Sequence, residues 1–240
     1  MHIPQPLLEG TLLRRYKRFL ADVELADGSV VTAHTPNPGR MIGCSEPGSR
    51  VWLRDSEDPK RKLRHTLQTV DAGGALVNVD TGLPNAVVEE AVRAGSVAEL
   101  EGFESLRREV KYGTSSRIDL LLEGPGRCFV EVKSVTLAQD GVGLFPDAVT
   151  ARGLKHLDEL ARVVEEGDRG VIFFFVSRGD VERFAPADEI DSAYGEKLRE
   201  VVARGVEALA YTSRVEPARI EIGERIPVDL ETRVALEWTR

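Results

Sequence analysis

Two apolar, β-branched runs separated by Gly124-Pro125-Gly126-Arg127 constrain this chain more than any other feature. "RIDLLLE" spans Arg117–Glu123 and "CFVEVKSVTL" spans Cys128–Leu137. The tetrapeptide between them is a turn signal, so the two runs read as a β-hairpin. Both look like buried strands, yet Asp119, Glu131 and Lys133 sit in their middles. A buried charge is costly unless it is paired or bound to a metal. With the turn centred on Pro125, Asp119 falls opposite Glu131 and Arg117 opposite Lys133. Facing Cβ atoms on one side of such a pair lie about 4.5–5.5 Å apart. Two carboxylates at that spacing repel and resist joint ionisation. A divalent cation such as Mg²⁺ or Mn²⁺ removes the conflict and takes oxygen ligands of this kind. Lys133 shares the face of Glu131, about 6.6 Å along the strand at ~3.3 Å per residue. An acid pair with an adjacent ammonium suits metal-assisted phosphodiester hydrolysis, with the lysine on the attacking water or on the developing charge. The other reading is an exposed hairpin face on which Lys133 bridges both acids.

The period of the pattern changes along the chain. "FLADVEL" and "SVVTAH" flank Asp27-Gly28, a hairpin signal. "SRVWLRDS" follows Pro47-Gly48, and "HTLQTVDAGGALVNVD" reads as two strands around Gly73-Gly74. About four or five short strands in so little chain predict a small barrel, with an OB-like barrel as one option. From Pro84 a helical period takes over: Val87, Val88, Ala91 and Val92 share a face and Gly95 stops the run. A longer amphipathic helix follows the hairpin, with Leu154, Leu157, Leu160, Ala161 and Val164 inward and Gly167 at its end. "VIFFFV" then reads as a fully buried strand. Alternating strands and helices predict a mixed α/β domain. The expected organisation is a barrel over 1–82, a mixed α/β domain over 83–230, and an appended tail over 231–240.

Net charge is −8, which argues against indiscriminate coating of nucleic acid. The charge is uneven, however. Residues 1–70 carry 11 Lys and Arg against 8 Asp and Glu, whereas the remainder carries 21 against 32. A basic front suits a polyanion approached from one side, although acidic helices are also ordinary solvated faces. "LRRYKRFL" interleaves Arg14, Arg15, Lys17 and Arg18 with Tyr16 and Phe19. Such a segment can track phosphates and stack a base on Tyr16. It can equally be an amphipathic lead into the first strand, with Phe19 in the core. "PKRKLRH" is a second basic cluster in a loop. His34, Asn37 and Arg40 lie in "HTPNPGRM", a rigid loop or plain turn architecture. Near the start of the long helix, Arg152 and His156 share one side, where they either meet substrate phosphate or face solvent. The two cysteines, Cys44 and Cys128, suggest no disulfide framework or zinc site, and the chain shows no secretory signal or membrane span. A cytoplasmic protein without a membrane partner is the expectation.

"RYKRFLADV", "HTPNPGRM", "EVKYG", "SRID", "EVKSVTL", "FPDAVTARGLKHL" and "IPVDL" occur in this order over residues 6–230. Together they resemble the sugar fermentation stimulation protein A family. The resemblance implies an OB-like β-barrel followed by a PD-(D/E)xK nuclease-like α/β domain. It also implies DNA binding without strong sequence preference and a regulatory role in maltose use. The nuclease-like signature carries over onto Asp119, Glu131 and Lys133. Related nuclease folds add an acid from an upstream helix, and Glu90 is the candidate here, with Glu89 solvated. Pro38 departs from the resemblance, since threonine is common there, which removes any hydroxyl role. The expected partner is DNA, single- or double-stranded, and a second copy of the chain is left open. The expected cofactor is Mg²⁺ or Mn²⁺. Two functions remain: a metal-dependent deoxyribonuclease, or a non-enzymatic DNA-binding regulator whose acids only dock metal or phosphate.

Overall fold

The computed structural model describes residues 1–112 and 116–237. Six strands come first: β1 (Leu7–Tyr16), β2 (Leu20–Leu25), β3 (Val30–His34), β4 (Arg50–Asp55), β5 (His65–Ala72) and β6 (Ala75–Asn78). They lie in the order β3-β2-β1-β4-β5-β6, and pairing of β3 with β5 closes the first five into a barrel. The predicted turns are where glycine is needed: Gly28 and the Gly73-Gly74 pair all have positive φ, a conformation that glycine adopts without a Cβ penalty. Alternate residues fill the barrel, among them Leu12, Val23, Ala33, Leu53, Leu67 and Val77. This is the expected OB-like barrel.

Helix α1 (Pro84–Arg93) leads into the second unit. Its sheet runs β15-β14-β12-β9-β8-β7. The strands are β7 (Ser105–Tyr112), β8 (Ser116–Glu123), β9 (Arg127–Val135), β12 (Arg169–Val176), β14 (Glu207–Glu216) and β15 (Arg219–Ile226). Parallel pairing of β12 with both β9 and β14 makes the centre, and antiparallel strands flank it. Helices α2 (Ala151–Glu165) and α3 (Ser192–Ala203) cover one face, where Leu157, Leu160, Phe174 and Leu198 are buried. Helix α1 covers the other through Val87, Val88 and Ala91, against Leu120, Val130 and Phe173. Burial on both faces explains why "VIFFFV" lacks alternation. The fold class is thus the expected one in its outline, an OB-like barrel followed by a mixed α/β domain.

A third sheet escapes the sequence reading. Strands β10 (Leu137–Gln139) and β11 (Val142–Phe145) form a hairpin, and β13 (Arg183–Pro186) adds in parallel to β11. Asp140 and Gly141 both have positive φ, so "QDGV" carries the same Asp-Gly hairpin signal as residues 27–28.

Both ends of the chain pack against the second unit or the third sheet. Ile3 is buried beside Val87 and Ile220, and His2 bridges Arg219, so the first residues pack on the second unit and not on the barrel. The tail is not merely appended. Leu236 is buried among Leu137, Val142, Leu144 and Ala187, and its N–H donates to Glu189. Residues 238–240 of that tail, and Gly113 of the expected strand "LRREVKYG", lie outside the described residues.

Candidate metal centre and nucleic-acid interface

The β8–β9 hairpin has the register read from its turn, with Leu120 facing Val130 and Glu123 facing Arg127. The ladder stops at Leu120. On the other side of β8, the β7 ladder skips the position of Asp119, opposite Glu109, whose φ is +53°. Asp119 is therefore free of both ladders. Its carboxylate turns inward, and Oδ2 accepts the Val132 N–H at 2.8 Å. The strands part where the acids begin, and the gap is the floor of a cleft of about 340 Å³.

Glu131 stays in register with Ile172 of β12 and is 2 % exposed. Lys133 Nζ donates to Glu131 Oε1 at 2.7 Å. His156, from α2, places Nδ1 on the same oxygen. Arg152 Nε donates to His156 Nε2 at 3.2 Å. A guanidinium can only donate, so Nε2 accepts and Nδ1 carries the proton toward Glu131. Lys133, Glu131, His156 and Arg152 thus form one chain of contacts across the cleft. Asp119 Oδ1 accepts from the Asn85 side chain at 2.8 Å, at the start of α1.

Burial raises the Glu131 carboxyl, but the bonds from His156 and Lys133 outweigh it and leave the pKa below the ordinary value. Burial, and then the Glu131 charge, push Asp119 up to about 6, outweighing the bonds from Val132 and Asn85 and the nearby Lys133 charge. Glu131 Oε2 is buried with no hydrogen-bond partner. An orphaned carboxylate oxygen beside a second carboxylate is the donor set that a hard divalent cation takes, completed by water and phosphate oxygens. The residues therefore fit a hard cation such as Mg²⁺ or Mn²⁺, which Asp119 and Glu131 would hold. Among the described residues no group of three His, Cys, Asp or Glu clusters around a common point.

The upstream acid is a correction. Glu90 is turned away from the cleft, with Oε1 3.0 Å from the Met1 ammonium. Glu89 pairs with Arg93. Helix α1 brings Asn85 to Asp119 instead of an acid.

The basic segment divides. Arg15 donates to the carbonyls of Arg18, Asn37, Gly39 and Arg40. It is a brace for the 37–40 loop, which corrects its reading as a phosphate contact. Arg14 pairs with Asp22 at 2.8 Å and lies over the Tyr16 ring, whose hydroxyl donates to the same aspartate. Lys17 and Arg40 are exposed. Arg18 borders the cleft and donates to Pro38 O at 2.7 Å. Barrel and α/β domain both wall this cleft: Asn37, Pro38 and Gly39 on one side, Asp147, Val149 and Arg152 on the other. Asp147 Oδ2 accepts the Met41 N–H at 2.9 Å and joins the two walls. No local pattern signals this latch or the contact between His156 and Glu131, because both depend on distant segments meeting.

Cys44 and Cys128 are buried, unbridged thiols that burial pushes up to about 12. They are poor nucleophiles. No described helix is long and apolar enough to cross a membrane.

A closed five-stranded OB barrel joined to a mixed α/β domain defines a class of two-domain proteins. Two family models match the chain: the SfsA N-terminal OB domain over residues 13–79 and the sugar fermentation stimulation protein RE domain over residues 82–219. The chain belongs to the sugar fermentation stimulation protein family. It is 60% identical over 228 residues to a sugar fermentation stimulation protein homolog of Geobacter sulfurreducens, covering 95% of this chain and 98% of the relative. A homolog from Thioalkalivibrio sulfidiphilus is 57% identical over 233 residues, covering 96% and 98%. Among solved structures, Pyrococcus furiosus SfsA in complex with Ca²⁺ superposes with a TM-score of 0.86 at 28% identity, covering 95% of this chain and 98% of that one.

Proposed function

We propose that this chain is a DNA-binding protein with a divalent-metal phosphodiester site. The observation that carries this reading is the convergence of Asp119, Glu131 and Lys133 at the floor of one cleft, with Glu131 Oε2 left unpartnered. The Ca²⁺ held by the Pyrococcus relative supports a site for a hard cation. Bound between Asp119 and Glu131, Mg²⁺ or Mn²⁺ would supply Lewis-acid stabilisation of a phosphate oxygen. Lys133, tied to Glu131, keeps its ammonium where negative charge develops on the phosphate. His156 fixes the Glu131 carboxylate, and Arg152 and Arg18 stand at the rims to bind the strand's phosphates. The relatives' shared name points to an effect on sugar use, and action on DNA is a route to that effect.

One observation favours a second reading. Asn85 stands at Asp119 where an acid would add a ligand, and a site with two carboxylates can dock metal and phosphate without turnover. Incubating labelled DNA with the protein and Mg²⁺ or Mn²⁺ separates the two. Cleavage that disappears in both Asp119→Asn and Lys133→Ala establishes the enzyme. Metal binding without cleavage leaves the docking site, and equal cleavage by wild type and both variants rejects the site altogether.

A further inference from the structure

We infer that Phe19 and His34, on the barrel side of the cleft, form a shelf on which one base of a single-stranded DNA stacks while its phosphate lies over the acids. This rests on the reading of the cleft as a phosphodiester site and adds the class of strand that it accepts.

Only Leu13, Phe19, Val30 and Val149 are large exposed hydrophobics among the described residues. Phe19 is 41 % exposed, and its ring stacks on His34 with centroids 6.4 Å apart and planes 28° apart. The Arg18 guanidinium lies over the same ring, 5.6 Å from its centroid. Lys17 and Arg18 both have positive φ, so the β1–β2 turn is bent tightly where it presents this group. Phe19 is therefore not the core residue that its place in "LRRYKRFL" allows. It is an exposed aromatic backed by an imidazole and faced by the Arg18 cation, which is the make-up of a base-stacking platform on a barrel. Tyr16, the stacking residue suggested by the sequence, is instead covered by Arg14.

The shelf adjoins the cleft. Arg18, next to Phe19, lines it, and Thr81, another lining residue, bonds the Pro36 carbonyl two residues beyond His34. On the opposite rim Val149 is 77 % exposed. Polar floor and apolar or aromatic rims match a strand whose phosphates point in and whose bases lie outward. A duplex keeps its bases stacked inside and offers none to Phe19. The wall is also fixed. A Cβ on Gly39 would come within 2.3 Å of the Asp147 carboxylate, so the barrel loop already touches the α/β domain.

The test measures binding of a fluorescent 20-nucleotide single strand of mixed sequence, and of the matching duplex, to the intact protein in EDTA. Losing one stacked base should weaken single-strand binding about tenfold in Phe19→Ala. Phe19→Trp should retain it, and duplex binding should be the same for all three proteins. Wild-type single-strand affinity in Phe19→Ala overturns the inference. So does an equal loss for strand and duplex, which would mark Phe19 as merely structural. Because no metal is present, the result is independent of cleavage: a failed Asp119→Asn experiment sinks the phosphodiester reading and leaves this measurement standing.

Discussion

At the residue scale, the site depends on a few side chains whose partners leave little freedom. Removing a group that stabilises charge in a transition state commonly lowers turnover about 10²–10³-fold. Lys133→Ala should show a loss of that size in metal-dependent DNA cleavage while its circular dichroism spectrum still shows the wild-type fold. Gly39 is as constrained for a different reason. Replacing it with alanine drives a methyl group into the Asp147 carboxylate and forces that group off the Met41 N–H. Gly39→Ala should cost about 1–3 kcal/mol in urea unfolding. In an Asp147→Ala background the same change should cost much less, and a double-mutant cycle returning additive losses would refute the contact.

Elements position these residues. Helix α2 begins where Thr150 accepts the Gly153 N–H at 3.0 Å, and α3 begins where Asp191 accepts the Tyr194 N–H at 3.1 Å. Asp191 also accepts the Thr150 N–H at 2.8 Å, so one carboxylate ties both helix starts. Thr150→Ala should cost about 1 kcal/mol as a lost N-cap. Asp191→Ala should cost about 2 kcal/mol, since it orphans two donors, the buried Tyr194 N–H and the part-buried Thr150 N–H. Chemical denaturation of the two variants side by side checks the order. Much of this level could be read from the sequence. The turn at Pro125 set the hairpin register, and the helical spacing of Leu157, Leu160 and Ala161 set the inner face of α2. Helix phase was harder to read: Glu90 and Asn85 both belong to α1, but only packing decides that Asn85 meets Asp119. Arg15 was misread because a string of cations does not reveal that one of them will be enclosed by carbonyls. His156 was placed on the correct helix, but its bond to Glu131 joins residues that are distant in the chain.

For the whole molecule, the tail and the charge distribution make separate statements. Leu236 fills a small cluster with the third sheet, so Leu236→Ala should lower stability by about 2–4 kcal/mol, as core truncations do. A melting temperature unchanged from wild type would show that the segment contributes nothing. DNA binding by a chain of net charge −8 has to come from a local cationic rim. Affinity should therefore fall steeply between low and moderate salt, and Arg18→Ala should flatten that slope by about one ion. A slope the same in both proteins would place the contact elsewhere.

The cleft has two parents, and that has an evolutionary side. The α/β half supplies the reactive groups, while the barrel supplies the bank facing them. Exchanging the barrel, about a third of the chain, for that of a distant cousin would leave Asp119, Glu131 and Lys133 where they are and replace the bank facing them. The shape of the cleft can thus change through the barrel without any change to Asp119 or Glu131.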